Sequence, residues 1–103
     1  MKRFSLHEPL LKSREKFNVD QCLETGWLSS SGNFVKSFEK KLEEFTNSNV
    51  ICCNSGTSAL HISLISAGVK VGDEVIAPSI TFIATINAIL YCGASPIFMD
   101  CDE

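Results

Sequence analysis

No apolar stretch in this chain of 103 residues is long enough to cross a bilayer. The greasiest run, residues 80–94, is interrupted by Thr81, Thr85 and Asn87. No secretory leader is expected either. The basic start Met1-Lys2-Arg3 leads to His7, Glu8 and Pro9 instead of an apolar segment. The expected compartment is therefore the cytoplasm, with no membrane partner. Excess positive charge is missing too: the net charge is -3, which argues against a nucleic-acid surface. There is no C-x-x-C pair among the five cysteines, whose count is odd. Cys52 and Cys53 are adjacent, so on a strand they would point to opposite faces and make poor joint metal ligands. Reduced thiols packing as small apolar residues, and no metal site, are the expectation. Two phosphate-binding signatures are absent. No Gly-Lys-Ser/Thr follows a glycine turn, and no G-x-G-x-x-G occurs.

What is present is enough for a packed core. Apolar residues make up 45% and charged residues 20%, within the range of one ordinary globular domain. Residues 1–11 read as an irregular arm. Residues 13–25 read as a short helix, broken by Gly26 and by the loop Leu28-Ser29-Ser30-Ser31-Gly32. A second helix follows. Phe34, Val35, Phe38, Leu42 and Phe45 recur at helical spacing, with Lys36, Glu39, Lys40, Glu43 and Glu44 facing away. Asn47-Ser48-Asn49 ends it.

From there the pattern alternates. Residues 50–53 read as a short buried strand. Residues 57–67 read as a helix stopped by Gly68, and residues 74–77 as a strand entered through Gly72-Asp73. Residues 81–91 read as a helix stopped by Cys92-Gly93, and residues 96–99 as a third strand. The expected architecture is α/β, a parallel βαβαβ preceded by helices, with strands buried on both faces. Residues 1–32 form the arm, short helix and loop in this reading, and residues 33–103 the start of the α/β domain.

The turn Asn54-Ser55-Gly56-Thr57-Ser58 is the most informative segment. A helix N-terminus offers unpaired N–H groups and partial positive charge, and Gly56 permits close backbone approach. Ser55, Thr57 and Ser58 add hydroxyl groups. The turn is either a phosphate cradle or an ordinary N-cap. Phe82 opens the next helix, near the carboxyl edge of the expected sheet, where ligands bind in such folds. It either faces a flat ring or packs in the core. His61 reads as a packing residue.

One series of residues carries a family resemblance. It begins with Thr25-Gly26-Trp27-Leu28-Ser29-Ser30-Ser31-Gly32, Phe38-Glu39, and Asn54-Ser55-Gly56-Thr57-Ser58-Ala59-Leu60-His61. It continues with Gly72-Asp73-Glu74-Val75-Ile76-Ala77-Pro78-Ser79, Thr81-Phe82, Asn87, Gly93-Ala94, Pro96 and Asp100. In this order and spacing the chain resembles the start of the DegT/DnrJ/EryC1/StrS sugar aminotransferases, from about residue 18 to residue 102.

The resemblance implies the N-terminal part of a fold-type-I transferase large domain that uses pyridoxal 5'-phosphate (PLP). It implies transfer of an amino group, usually from glutamate, to a nucleotide-linked 4-keto-6-deoxy sugar for surface polysaccharide or glycan synthesis. The Thr-Gly-Trp-Leu-Ser-Ser opening is similar to a branch acting on UDP-linked sugars. Gly56, Thr57 and Ser58 match the phosphate turn, and Phe82 matches the aromatic that stacks on the pyridine ring. Trp27, Ser29, Ser30 and Ser31 match the loop bordering the substrate site. A homodimer is implied.

No catalytic residue is expected within this chain. Lys2, Lys12, Lys16, Lys36, Lys40, Lys41 and Lys70 do not stand where the family places its Schiff-base lysine, and Asp100 does not stand where it places the carboxylate that holds the pyridine nitrogen. A fragment inactive by itself is thus expected. Three alternatives remain open. One is a dehydratase of the same family that lacks that lysine. Another is a non-catalytic or split-enzyme module that pairs with a lysine-bearing chain. The third, resting only on the turn at Gly56, is a small phosphate- or nucleotide-binding α/β protein.

Overall fold

The computed structural model describes residues 8–29 and 31–100. They fall into two compact units, one up to Asn49 and one from Val50 onward.

The first unit contains α1 (Ser13–Thr25) and α2 (Asn33–Thr46). At the start of α1 the Glu15 carboxylate accepts a hydrogen bond from the Lys12 backbone N–H at 2.7 Å, and it lies where the helix dipole favours negative charge. Gly26, at φ 70°, ends the helix in the left-handed region that glycine enters without strain. Gly32 precedes α2, and its carbonyl accepts from the N–H groups of Val35 and Lys36 at 3.1 and 3.2 Å. Asn47 ends α2 at φ 51°, one of the few side chains that tolerate that region. Neither helix buries a residue fully, and Phe45 is 87% exposed.

The second unit contains α3 (Gly56–Ser66), β1 (Glu74–Pro78), α4 (Ile83–Tyr91) and β2 (Ser95–Met99). The strands are parallel, Glu74 beside Ser95 through Pro78 beside Met99, and α4 is the crossover between them. The ladder is prolonged at both ends. Ser95 N–H donates to the Asp73 carbonyl at 2.8 Å, and Ser79 N–H donates to the Met99 carbonyl at 2.9 Å. The core lies between sheet and helices. Ala77, Ile89 and Ala94 are buried there, with Leu64, Val69, Val75, Ile86 and Cys92 packed around them.

The same device ends α3 and α4. Val69 N–H reaches back to the Leu64 carbonyl and Gly68 N–H to Ile65, while Ala94 N–H reaches Ile89 and Gly93 N–H reaches Leu90. These are paired Schellman bonds, with Gly68 at φ 89° and Gly93 at φ 71° in the left-handed position. Each motif folds its following apolar residue, Val69 or Ala94, back onto the core.

Three expectations need correction. Residues 50–53 belong to no strand; the sheet has the two strands β1 and β2, so the described pattern is helix then βαβ. The expected burial fails as well, since Ile51 is 85% exposed; a four-residue apolar run specifies neither a ladder partner nor a cover. Secondly, α4 starts at Ile83, leaving Thr81 and Phe82 outside it. Thirdly, the strands are not covered on both faces. Val75 and Ala77 point toward the core cluster, whereas Ile76 is 68% exposed. The side chains alternate across the strand, so one covered face leaves the other bare.

Of the cysteines, Cys22, Cys52, Cys53 and Cys92 are half-buried, and Cys92 packs against the core as expected. Cys101 lies outside the described residues. Among the described residues no helix is long and apolar enough to cross a membrane.

So much bare apolar surface predicts self-association. The isolated chain is expected to bind a hydrophobic dye and to sediment as heterogeneous oligomers. A soluble monomer with one cooperative thermal transition would contradict this.

Candidate functional site

The N-terminus of α3 is built by Ser55. Its extended backbone leads into the helix, and its hydroxyl oxygen accepts from the Ser58 backbone N–H at 3.2 Å. The same hydroxyl donates to Ser58 Oγ at 3.1 Å. That direction leaves the Ser58 hydroxyl hydrogen available for an outside acceptor. The first N–H groups of a helix have no acceptor within it, and Ser55 satisfies one of them. Gly56 and Thr57 therefore present N–H groups at the positive end of the helix dipole. An ideal Cβ placed on Gly56 meets nothing within 4 Å, so the backbone there is open to approach. The residues present fit a phosphate: two backbone donors, a hydroxyl donor and open space above the glycine.

Phe82 stands four residues beyond the carboxyl end of β1, directly before α4. It is 82% exposed, so of its two sequence-based alternatives the packed core does not hold. Its ring is available as a flat apolar face. Behind the turn, α3 packs against α4, and His61 meets Tyr91 edge to face with ring centroids 5.6 Å apart. This agrees with His61 as a packing residue.

The remaining site residues lie in the first unit. Trp27, Ser29 and Ser31 follow α1 in one short loop, and Ser30 lies outside the described residues. The hydroxyls of Ser29 and Ser31 are hydrogen-bonded to each other at 3.3 Å. The loop folds close to Gly32: a Cβ there would sit 3.7 Å from the Ser29 carbonyl and 3.9 Å from Trp27 Cβ. Trp27 stays 54% exposed and borders a groove of about 910 Å³. Val19, Cys22 and Leu23 of α1 and Phe34 and Val35 of α2 also line it. Sequence reasoning singled out the loop but missed the groove. Its signal was Val19, Cys22 and Leu23, which recur on one face of α1 at intervals of about three to four residues. The structure thus brings together Gly56, Thr57 and Ser58 in one turn and Trp27, Ser29 and Ser31 in one loop.

Comparison with known proteins bears directly on this arrangement. The profile of the DegT/DnrJ/EryC1/StrS aminotransferase family matches residues 9–103. A GDP-perosamine synthase of Caulobacter vibrioides is 44% identical over 97% of this chain. This chain spans only 27% of that relative's length. A sugar aminotransferase of Streptococcus pneumoniae, Spr1654, solved in PLP and PMP forms, superposes with a TM-score of 0.82 at 34% identity. The match covers 91% of this chain and 24% of that one. An Escherichia coli GDP-4-keto-6-deoxy-D-mannose-3-dehydratase shares the fold alone, with a TM-score of 0.77 at 22% identity over 99% of this chain and 28% of that one. With a family profile spanning nearly all of its residues and this degree of identity, the chain belongs to the DegT/DnrJ/EryC1/StrS aminotransferase family.

Proposed function

We propose that this chain is the cofactor-phosphate portion of a fold-type-I, PLP-dependent sugar aminotransferase, acting in the cytoplasm on a nucleotide-linked 4-keto-6-deoxy sugar. The observation that carries the reading is the Ser55-capped turn at Gly56, open to approach, within a segment that matches an aminotransferase family. A relative named GDP-perosamine synthase favours GDP as the nucleotide in place of the UDP inferred from the loop motif. Glutamate is the proposed amino donor and a homodimer the proposed assembly.

Bound PLP supplies an electron sink that lets an amino group be exchanged. The chain's own residues do the holding. Gly56 and Thr57 would donate backbone N–H groups to the phosphate, and Ser58 would donate its hydroxyl. Phe82 would offer its exposed ring as an apolar face to the cofactor and shield that side from water. The domain assignment follows: residues 1–32 carry the substrate-side loop with Trp27, Ser29, Ser30 and Ser31, and residues 33–103 begin the cofactor domain. On this reading the proton-transferring lysine and the pyridine-nitrogen carboxylate lie outside residues 1–103, and the chain spans 27% of the length of the perosamine synthase it matches.

The test uses the complete reading frame that contains residues 1–103. The purified product is expected to show a visible cofactor band that glutamate bleaches, and to convert a GDP-linked 4-keto-6-deoxy sugar to an amino sugar detected by mass. A product that has lost water and gained no nitrogen would establish the dehydratase alternative. Absence of a cofactor band would overturn the proposal.

Phe82→Ala in the same protein is expected to weaken PLP binding about tenfold, the loss of one aromatic contact of about 1 kcal/mol plus its apolar area. Its melting temperature without cofactor is expected to stay unchanged, because the side chain is largely exposed. Unchanged PLP affinity would remove Phe82 from the site.

A further inference from the structure

We draw no further inference here: the strongest candidate, the exposed apolar stripe of α2 carrying Phe34, Phe38 and Phe45, carries nothing because no feature of the structure shows what covers it.

Discussion

Gly56→Asp in the complete enzyme is expected to lower PLP affinity about a hundredfold or more while leaving the cofactor-free protein at least as stable. Gly56 is the first residue of α3, and a Cβ there meets nothing within 4 Å. Its φ lies outside the left-handed region, so an L side chain is tolerated. Replacing a helical glycine removes about 0.5–1 kcal/mol of backbone entropy penalty, and a carboxylate in the first turn is favoured by the dipole. The same carboxylate competes for the donors proposed to hold the phosphate and repels the phosphate itself. Each hydrogen bond to a charged group contributes about 1.5–3 kcal/mol. Losing the equivalent of one or two corresponds to roughly a hundredfold in the dissociation constant. Gly56→Ala is the control for size, since it adds a Cβ without charge and is expected to keep most of the affinity. Titration of the cofactor-free enzyme with PLP, read by absorbance, gives both constants. Equal affinities for the Asp variant and the wild type would show that the phosphate is held elsewhere.

Gly93→Ala is expected to destabilise the complete enzyme by about 2–5 kcal/mol in urea unfolding. Two independent effects add. Gly93 sits at φ 71°, where an alanine is strained by about 1–2 kcal/mol. Its Cβ would also lie 2.8 Å from Val71 Cγ2 and 3.3 Å from Val71 Cβ. Relieving such overpacking typically costs about 1–3 kcal/mol. The backbone has little room to yield. Gly93 donates to the Leu90 carbonyl, and its own carbonyl accepts from Gly72 N–H at 3.0 Å. The turn before β1 is thereby tied to the turn before β2. Val71→Ala alone is expected to be nearly neutral, because Val71 is 84% exposed. Combined with Gly93→Ala it is expected to recover the contact part of the loss and not the backbone part. A double-mutant cycle measures that coupling. If Val71→Ala recovers nothing, the collision with Val71 is not a cause of the loss.

Much of the local structure was legible because glycine and periodicity act over a few residues. Residues 13–25 were expected as a helix and are α1, bounded by Gly26 in the left-handed conformation. Gly68 and Gly93 were expected as stops, and each closes a Schellman motif. The turn at residues 54–58 was expected at a helix start, and Ser55 caps α3 there. The strand boundaries of β1 and β2 shifted by one residue each.

The sequence by itself determined that four helices form, the glycine stops after three of them and the polar turn at Gly56, since each depends on residues near one another along the chain, and the ordered series of motifs determined the family. The tertiary structure alone decided which apolar segments pair. Ala77 and Phe98 are neighbours in a parallel ladder, while residues 50–53, equally apolar, join no strand. A ladder is a contract between two segments distant in sequence, and hydropathy records only that a segment avoids water. Exposure was decided the same way. Phe82 and Ile76 are as apolar as Ile89, yet they are open to solvent while Ile89 is buried. Burial depends on what the rest of the fold places over a side chain, which no local pattern contains.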